Sequence, residues 1–255
     1  MLTNFGHLRR RLYDGATVIG FWSELCAPLA TEVLAGTGFD FCVIDHEHGP
    51  GGPFEAMQIM MSLKGSACAP LIRVPENNPV PIKRALDTGA EGLVIPAVNS
   101  DEEAGAAVAA CLYPPAGMRG NAVPIVRASA YGAHAADYAA QADRELLIIC
   151  QIEAAQAVQN VEAIAAVERV DMLFIGPMDL SGDMGFIGQP DHPEVRRAIA
   201  HVEQVAKDNG KLLGTITTPE RSIGDLAAAG HCLIAAASDT GLLQSAAASL
   251  LANRP

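Results

Sequence analysis

Eight short apolar runs recur along this chain, and a longer amphipathic or alanine-rich stretch follows each of them. The runs are Thr17–Trp22, Phe39–Ile44, Pro70–Val74, Gly92–Pro96, Leu146–Ile152, Met172–Ile175, Leu212–Ile216 and Cys232–Ala237. Each is too short for a buried helix, and most are rich in Val, Ile, Leu or Phe, which favour strands. Because the runs are continuously apolar rather than alternating, they predict parallel strands buried on both faces.

The stretches between the runs carry the start and stop signals of helices. Pro79 to Gly89 and Pro219 to Gly230 each begin with proline and end with glycine, and Pro193 to Asn209 has apolar residues near helical spacing. Eight strands alternating with helices predict an α/β protein, a single (β/α)8 TIM barrel over residues 1–255. A doubly wound sheet is the alternative, but the turn after Trp22 has no glycine-rich phosphate loop.

Composition argues against several classes of function. The formal net charge of −12 would repel nucleic-acid backbones and anionic lipid surfaces. No apolar run approaches the roughly 20 residues that span a bilayer, and the first residues lack the apolar core of a secretory signal. The six cysteines form no CxxC pair and several lie in apolar runs, which predicts buried, reduced thiols and a cytoplasmic location.

Polar residues follow four of the apolar runs. Asp45–His48 comes after the second run, Arg73 lies at the end of the third, Gln151–Glu153 ends the fifth, and Gly176–Asp179 follows the sixth. In a (β/α)8 barrel the carboxyl ends of all strands open at one mouth, where the active sites of such enzymes lie. These residues would therefore converge, and the chain is predicted to be an enzyme.

Three of these positions suggest specific chemistry. Glu153 and Asp179 could hold a divalent cation, and two oxygen ligands with open positions favour Mg²⁺ or Mn²⁺, although each could instead cap a helix. His48 could act as an acid or base, although a loop histidine could equally be merely solvated. His46 and His48 also form an HxH pair, as in zinc hydrolase barrels, but the later strand ends offer carboxylates instead of further histidines.

Other groups near the predicted mouth could contact an anionic substrate. Arg73 could stabilise an enolate or bind a carboxylate, the alternative being a structural ion pair. The Gly176-Pro177 turn is predicted to offer a backbone N–H near the cation. Asp87, late in a predicted helix, reaches the mouth only if the helix ends lie close to it.

Several motifs together resemble a known family. They are Asp45-His-Glu-His48, Arg73-Val-Pro, Leu86-Asp-Thr-Gly-Ala90, Tyr113-Pro-Pro-Ala-Gly-Met-Arg-Gly120, Gln151-Ile-Glu153 and Phe174-Ile-Gly-Pro-Met-Asp-Leu-Ser181. In this order they resemble the HpcH/HpaI aldolase/citrate lyase family of metal-dependent 2-keto-acid aldolases, such as 4-hydroxy-2-oxoheptanedioate aldolase. The resemblance extends from Trp22 to about Thr240.

The resemblance implies a (β/α)8 barrel, a divalent metal (Mg²⁺ or Mn²⁺, with Co²⁺ as a further candidate), and cleavage of a 4-hydroxy-2-keto acid into pyruvate and an aldehyde. His48 would be the acid–base residue, oriented by Asp87, and Arg73 would stabilise the enolate. The implied site residues are the metal ligands Glu153 and Asp179, the catalytic residues His48, Arg73 and Asp87, and the substrate-binding residues Trp22, Arg73, Gln151, Gly176 and Pro177.

Some features leave the substrate open. The segment Gly214–Pro219 is more polar than its counterpart in the family, so its threonines could accept hydroxypyruvate in place of pyruvate. A lyase for a CoA thioester is the alternative enzyme, but it needs a basic groove and Arg is sparse here. A non-catalytic barrel that binds keto acids is the alternative outside catalysis. No Lys follows an apolar run at the mouth, which favours a metal over a Schiff base.

The end of the chain predicts self-association. Gly241–Ala252 is rich in Leu and Ala and has no charged residue, so part of it would be an exposed apolar patch in a monomer. The long Tyr113–Tyr138 segment also needs a surface to pack on. We therefore expect a homo-oligomer, and the family resemblance implies a hexamer.

Overall fold

The structure, a computed structural model, describes residues 5–252 and residue 254 and confirms the (β/α)8 barrel. Eight parallel strands pair in chain order, and β8 pairs with β1 to close the barrel. The strands are β1 Val18–Ser23, β2 Phe41–Asp45, β3 Ala69–Arg73, β4 Gly92–Ile95, β5 Leu147–Ile152, β6 Met172–Ile175, β7 Leu212–Ile216 and β8 Leu233–Ser238. Each of the eight apolar runs thus overlaps one strand, which extends at most one residue beyond the run.

Helices connect successive strands. They are α1 His7–Tyr13, α2 Pro28–Ala35, α3 Pro53–Ser62, α4 Pro79–Asp87, α5 Asp101–Cys111, α6 Ala135–Glu145, α7 Ala155–Gln159, α8 Val161–Ala166, α9 Pro177–Asp183, α10 Pro193–Asp208, α11 Ile223–Ala228 and α12 Asp239–Leu251. Within the described residues no helix is long and apolar enough to cross a bilayer.

Each strand is buried on both faces, which explains why the runs are continuously apolar. In β2, Phe41 and Val43 belong to the cluster inside the barrel, whereas Cys42 and Ile44 belong to the layer between the strands and the helices. Side chains alternate in this way because successive residues of a strand point to opposite faces. The same alternation decides which polar residues enter the mouth.

The barrel interior requires a glycine on β1. A Cβ placed on Gly20 would lie 2.4 Å from the carbonyl oxygen of Phe41 and 2.5 Å from its ring. Any larger residue would force β1 and β2 apart. Helix α1 closes the amino-terminal end of the barrel, and its Leu8 and Leu12 belong to the interior cluster.

One predicted helix begins later than expected. The expectation of a helix from Pro219 is wrong, because Thr218 and Arg221 exchange two backbone hydrogen bonds of 3.2 Å across a tight turn. The helix begins after Ser222, whose hydroxyl accepts from the N–H of Asp225 while the Asp225 carboxylate accepts from the N–H of Ser222. This capping box is a stronger start signal than the preceding proline.

The long segment before β5 packs in part against other residues of the same chain. A short 3-10 turn, Arg127–Ser129, precedes α6, and Tyr138 of α6 packs against the ring of Phe5. Ile125 remains 74 % exposed, so part of this segment has an apolar surface. The cysteines are free, as expected: five are buried and Cys232 is partly buried.

The last helix is largely unpacked. It begins at Asp239, which is its one buried residue in the described chain. Leu243 and Leu250 are 61 % and 78 % exposed, so α12 does not bury its apolar side chains in its own barrel. The neighbouring helix α2 exposes Leu29 as well, which places two apolar surfaces side by side.

Candidate active site

Strand alternation brings four of the predicted side chains into the mouth. Inside the barrel, Phe41 and Val43 precede Asp45 on β2, Ala69 and Leu71 precede Arg73 on β3, and Leu147 and Ile149 precede Gln151 on β5. Trp22 follows Val18 and Gly20 on β1 in the same way. Each of these residues lies an even number of positions after an interior residue of the same strand. Each is therefore the inward-facing residue nearest the carboxyl end of its strand.

Arg73 is held rigidly by three neighbours. Its Nε donates to Asp45 Oδ1 at 2.9 Å, and its Nη2 donates to Asp45 Oδ2 at 2.7 Å, which forms a bidentate pair. Glu47 Oε2 lies 2.9 Å from Nη1 as an ion pair whose angle does not make a hydrogen bond. The guanidinium also stacks over the Trp22 ring, 4.4 Å from its centroid. Arg73 is therefore a fixed positive charge at the mouth.

Burial and charge act in opposite directions on Asp45. Burial alone would raise its pKa, but the hydrogen bonds and charge of Arg73 outweigh burial and hold the pKa below its usual value. The backbone N–H groups of Glu47 and His48 donate to Asp45 Oδ1 at 3.0 and 3.4 Å. Asp45 thus fixes both the arginine and the turn that carries His48.

A cavity of about 400 Å³ lies over these residues at the carboxyl ends of the strands. Predicted residues line much of its wall: Trp22, His48, Arg73, Gln151, Gly176, Pro177 and Asp179. His48 is exposed on this wall. A cavity of this size accommodates a small organic acid.

Glu153 is a partly buried carboxylate beside the cavity. Its Oε1 accepts from the backbone N–H of Ala97 at 2.7 Å, and its Oε2 accepts from Gln151 Nε2. Burial raises the pKa of Glu153 to about 7, with smaller contributions from the charges of Glu47 and Asp179. When a carboxyl group retains its proton near neutral pH, a divalent cation can displace that proton and stabilise the ionised carboxylate.

The residues around Glu153 fit a cation with open coordination positions. No cluster of three or more His, Cys, Asp or Glu groups suited to a metal exists in residues 5–252 and 254, so protein ligands would be few. Gln151 Oε1 is buried without a hydrogen-bond partner. A Cβ on Gly176 would lie 3.1 Å from Glu153 Oε2, so the glycine keeps this space open. Two carboxylates and free space match Mg²⁺ or Mn²⁺ better than a closed zinc site.

Two alternatives from the sequence lose support here. Asp179 is not a helix N-cap, because Gly176 occupies that position at the start of α9. His46 is 9 % exposed, its Nε2 has no hydrogen-bond partner, and burial lowers its pKa. Since it joins no metal-type cluster in the described chain, the HxH zinc site has no structural support.

The geometry corrects two further expectations. Asp87 does not contact His48 within the chain: it ends α4 just before β4, at the amino-terminal end of the barrel, where it accepts from Arg119 Nη2 at 3.0 Å. The Gly176 N–H is not free, because it donates to the carbonyl of Ile152 at 3.1 Å. Pro177 has no N–H, so the free first-turn donors of α9 belong to Met178 and Asp179.

The sequence reasoning missed part of the wall. Glu24, Phe174, Thr217 and Ser238 also line the cavity. Glu24 and Ser238 could have been found, because each lies at the end of an apolar run like the residues that were singled out. Of the three predicted threonines, Thr217 is the one that lines this cavity, and its hydroxyl donates to the carbonyl of Ala236 at 3.1 Å.

Comparison with known proteins identifies the family. The sequence profile of HpcH/HpaI aldolase/citrate lyase matches residues 18–246, which includes every strand and the whole cavity wall. The chain belongs to this family. A curated relative, the 5-keto-4-deoxy-D-glucarate aldolase of Shigella dysenteriae serotype 1, is 45 % identical over 228 residues, which are 89 % of this chain and 88 % of the relative.

Solved structures agree with this family assignment. A HpcH/HpaI aldolase/citrate lyase family protein from Burkholderia cenocepacia J2315 is 34 % identical, with a TM-score of 0.91 over 96 % of this chain and 98 % of the other. The citrate synthase SbnG is 27 % identical, with a TM-score of 0.86 over 96 % of each chain. The family and its curated aldolases establish this chain as a carbon–carbon lyase of the aldolase type.

Proposed function

We propose that this protein is a metal-dependent aldolase that cleaves a 4-hydroxy-2-keto acid into pyruvate and an aldehyde. The observation that carries the proposal is the placement of a fixed guanidinium and a partly buried carboxylate at the mouth: Arg73 held by Asp45, and Glu153 near Asp179. An aldol cleavage needs a stabilised negative charge at the keto oxygen and a group that removes a proton from the hydroxyl two carbons away.

Glu153 and Asp179 are the proposed ligands of Mg²⁺ or Mn²⁺, with Co²⁺ as a further candidate. When bound, the cation would supply a Lewis acid for the oxygens of the keto acid. Gln151 positions Glu153, since its Nε2 donates to that carboxylate. The unbonded first-turn N–H groups of α9 face the same wall as Asp179 and would bind the carboxylate of the donor.

Arg73 is proposed to stabilise the charge that develops on the C2 oxygen as the C3–C4 bond breaks. Its orientation does not change during the reaction, because Asp45, Glu47 and Trp22 hold three sides of the guanidinium. A preorganised cation of this kind needs no rearrangement when charge develops, which is the condition for strong electrostatic catalysis.

His48 is proposed to take the proton from the C4 hydroxyl and, in the synthetic direction, to return it. It lies on the cavity wall and is exposed, so it can meet an incoming aldehyde. Asp87 enters this proposal only from a neighbouring copy of the chain, because within one chain it lies at the opposite end of the barrel from His48.

The substrate is proposed to be an acidic sugar derivative. The curated relative acts on 5-keto-4-deoxy-D-glucarate. Cleavage of that compound between its deoxy carbon and the adjacent hydroxyl-bearing carbon gives pyruvate and a three-carbon aldehyde that carries a hydroxyl and a carboxylate. Thr217 and Ser238 are the hydroxyl-bearing residues of the cavity wall that such an aldehyde would meet. The Thr217 hydroxyl donates to the carbonyl of Ala236, so it would serve the aldehyde as an acceptor. Hydroxypyruvate is a second proposed donor, and Thr217 would contact it.

Self-association is part of the same proposal. The apolar side chains of α12 and the neighbouring face of α2 are exposed in the single chain, and contact between copies would cover them. We expect a homo-oligomer, and the family resemblance implies a hexamer. Light scattering at micromolar concentration tests this; an active particle near 26.6 kDa would contradict it.

The experiment for the activity is an aldehyde panel incubated with pyruvate and, separately, with hydroxypyruvate, in the presence of Mg²⁺ or Mn²⁺. We expect carbon–carbon bond formation with pyruvate, loss of it in EDTA, and loss of it in Glu153→Ala and in Asp179→Ala. Asp137→Ala, which removes an exposed carboxylate on α6, is the matched control and should keep full activity. Full activity in both site variants with metal still bound would contradict the proposal.

A further inference from the structure

A second cavity lies at the amino-terminal end of the barrel, away from the mouth. It has a volume of about 230 Å³ and is lined by residues of the α3–β3 connection, including Lys64, Ser66 and Cys68, together with Glu91 and Arg127. The reaction proposed above uses none of these residues. A water molecule occupies about 30 Å³ in the liquid, so the cavity has the volume of roughly eight waters. It is large enough for a small ligand and too small for a nucleotide.

Arg127 is a buried cation that forms no ion pair with any residue the structure describes. It is 6 % exposed, and its Nη1 donates to the carbonyl of Thr88 at 2.5 Å. Its Nε is buried and has no hydrogen-bond partner. Among the described residues Tyr131 is the one acidic group within electrostatic range, and no carboxylate pairs with it. A buried guanidinium with an unbonded N–H is unfavourable unless an anion joins it.

The other ionisable groups of the cavity are compatible with an anion. Lys64 is exposed at the rim and adds positive charge, whereas the Ser66 hydroxyl already donates to the carbonyl of Leu63 at 2.8 Å. Glu91 is buried, and burial raises its pKa to about 7, so a large share of it is neutral near pH 7 and can donate a hydrogen bond. Its Oε2 accepts from the N–H of Leu8 at 3.3 Å, and Arg10 rather than Arg127 is the cation that acts on it.

We propose that this cavity binds a small oxyanion, a carboxylate or phosphate group, through Arg127 with Lys64 at the rim. Guanidinium groups match the planar oxygen pairs of these anions and bind them in two-point fashion. Occupation would stabilise the fold, since Arg127 and Glu91 both line the cavity and are bonded to the backbone of Thr88 and Leu8 respectively. It would not change the chemistry at the mouth.

The test uses the whole protein in EDTA, so that metal-dependent binding at the mouth is suppressed. Wild-type crystals are soaked in selenate, and the anomalous signal of selenium locates the ion. Inorganic phosphate and malonate are titrated separately, with thermal unfolding and calorimetry as readouts. The variants are Lys64→Met, Arg127→Gln and Lys207→Met, the last being a matched control because Lys207 is exposed on α10, outside the cavity.

We expect a selenium peak within hydrogen-bond distance of Arg127 Nε. At least one of the two anions should raise the unfolding temperature of the wild type and of Lys207→Met equally. Its affinity should fall roughly two- to fivefold in Lys64→Met and about tenfold or more in Arg127→Gln. Binding of phosphate alone or of malonate alone identifies the source of the oxyanion.

Two results would overturn the proposal. One is a set of selenium peaks that leaves Arg127 without an ion. The other is a dissociation constant for the anion that equals the wild-type value both in Lys64→Met and in Arg127→Gln. Should Arg127→Gln fail to fold, because it also loses the bond to Thr88, the selenate position and the comparison of Lys64→Met with Lys207→Met decide the question without it.

Discussion

Replacing Asp45 with asparagine is expected to weaken both the fold and catalysis through one residue, Arg73. Asp45 is 1 % exposed, and its two carboxylate oxygens have different tasks. Oδ1 accepts from Arg73 Nε and from two backbone N–H groups, and Oδ2 accepts from Arg73 Nη2 at 2.7 Å. In Asp45→Asn the amide oxygen can keep the first set of contacts, but the amide NH₂ then faces the N–H donors of Nη2.

The magnitude follows from that geometry. One hydrogen bond to a charged group is lost, which costs about 1.5–3 kcal/mol, and the guanidinium loses its main counter-charge. Breaking a buried ion pair costs about 3–5 kcal/mol when nothing replaces the missing charge. Here Glu47 Oε2 remains 2.9 Å from Arg73 Nη1. We therefore expect a loss of roughly 2–4 kcal/mol in the free energy of unfolding, or about 5–15 °C in Tm for a chain of this size.

Urea and thermal unfolding of Asp45→Asn measure the loss, with Asp137→Asn as a carboxyl-to-amide control on the surface. The pKa of Asp45 is depressed in the folded protein, so its contribution is complete above the unfolded pKa of about 3.9 and is lost as pH falls through the folded value. The difference from wild type should therefore be constant from pH 5 to 7. A variant with wild-type stability and wild-type kcat/KM would refute this account of Arg73.

Three further outcomes are expected. Because burial raises the pKa of Glu153 to about 7, Mn²⁺ binding below that pH should release a proton, and Mn²⁺ affinity should rise with pH up to that value. Metal-free stability should fall as pH rises from the unfolded pKa of about 4.3 to the folded value, because the folded chain holds the proton more tightly. A calorimetric titration that shows no proton release would count against this. His48→Ala should keep pyruvate binding but slow cleavage by about 10²–10⁴; unchanged cleavage with normal exchange of pyruvate protons would remove His48 as the base. Leu243→Asp with Leu250→Asp should shift the light-scattering mass toward the monomer while Tm stays near wild type, because both side chains are exposed in the single chain; an unchanged mass would show that α12 forms no contact between copies.

The fold could be predicted from the sequence because the barrel requires continuously apolar strands. Phe41 to Ile44 is apolar at every position since one face packs inside the barrel and the other packs against helices. Helix starts were less certain. The predicted helix start at Pro219 is wrong because proline fits a tight turn as well as the first turn of a helix. The bridge between Thr218 and Arg221 joins backbone groups, so residue composition does not reveal it.

The candidate site was predicted in the same way, from polar residues at strand ends. Asp45, Arg73 and Gln151 follow inward-facing apolar residues at even spacing, so alternation alone places them in the mouth. Barrel topology alone places Asp87 away from the mouth, because the helix between two parallel strands runs back from the carboxyl end of one strand to the amino end of the next. Its partner Arg119 lies 32 residues away, in a segment whose path no local rule predicts.

The most direct measurement is the rate of pyruvate release from 5-keto-4-deoxy-D-glucarate, followed by a coupled assay before EDTA treatment, after it, and after return of Mn²⁺ or Mg²⁺. The account predicts that EDTA abolishes release, that the cation restores it in wild type, and that Glu153→Gln is not restored. Release that persists in EDTA, or that Glu153→Gln recovers fully with the cation, would contradict the claim that this mouth is a metal-dependent aldolase site.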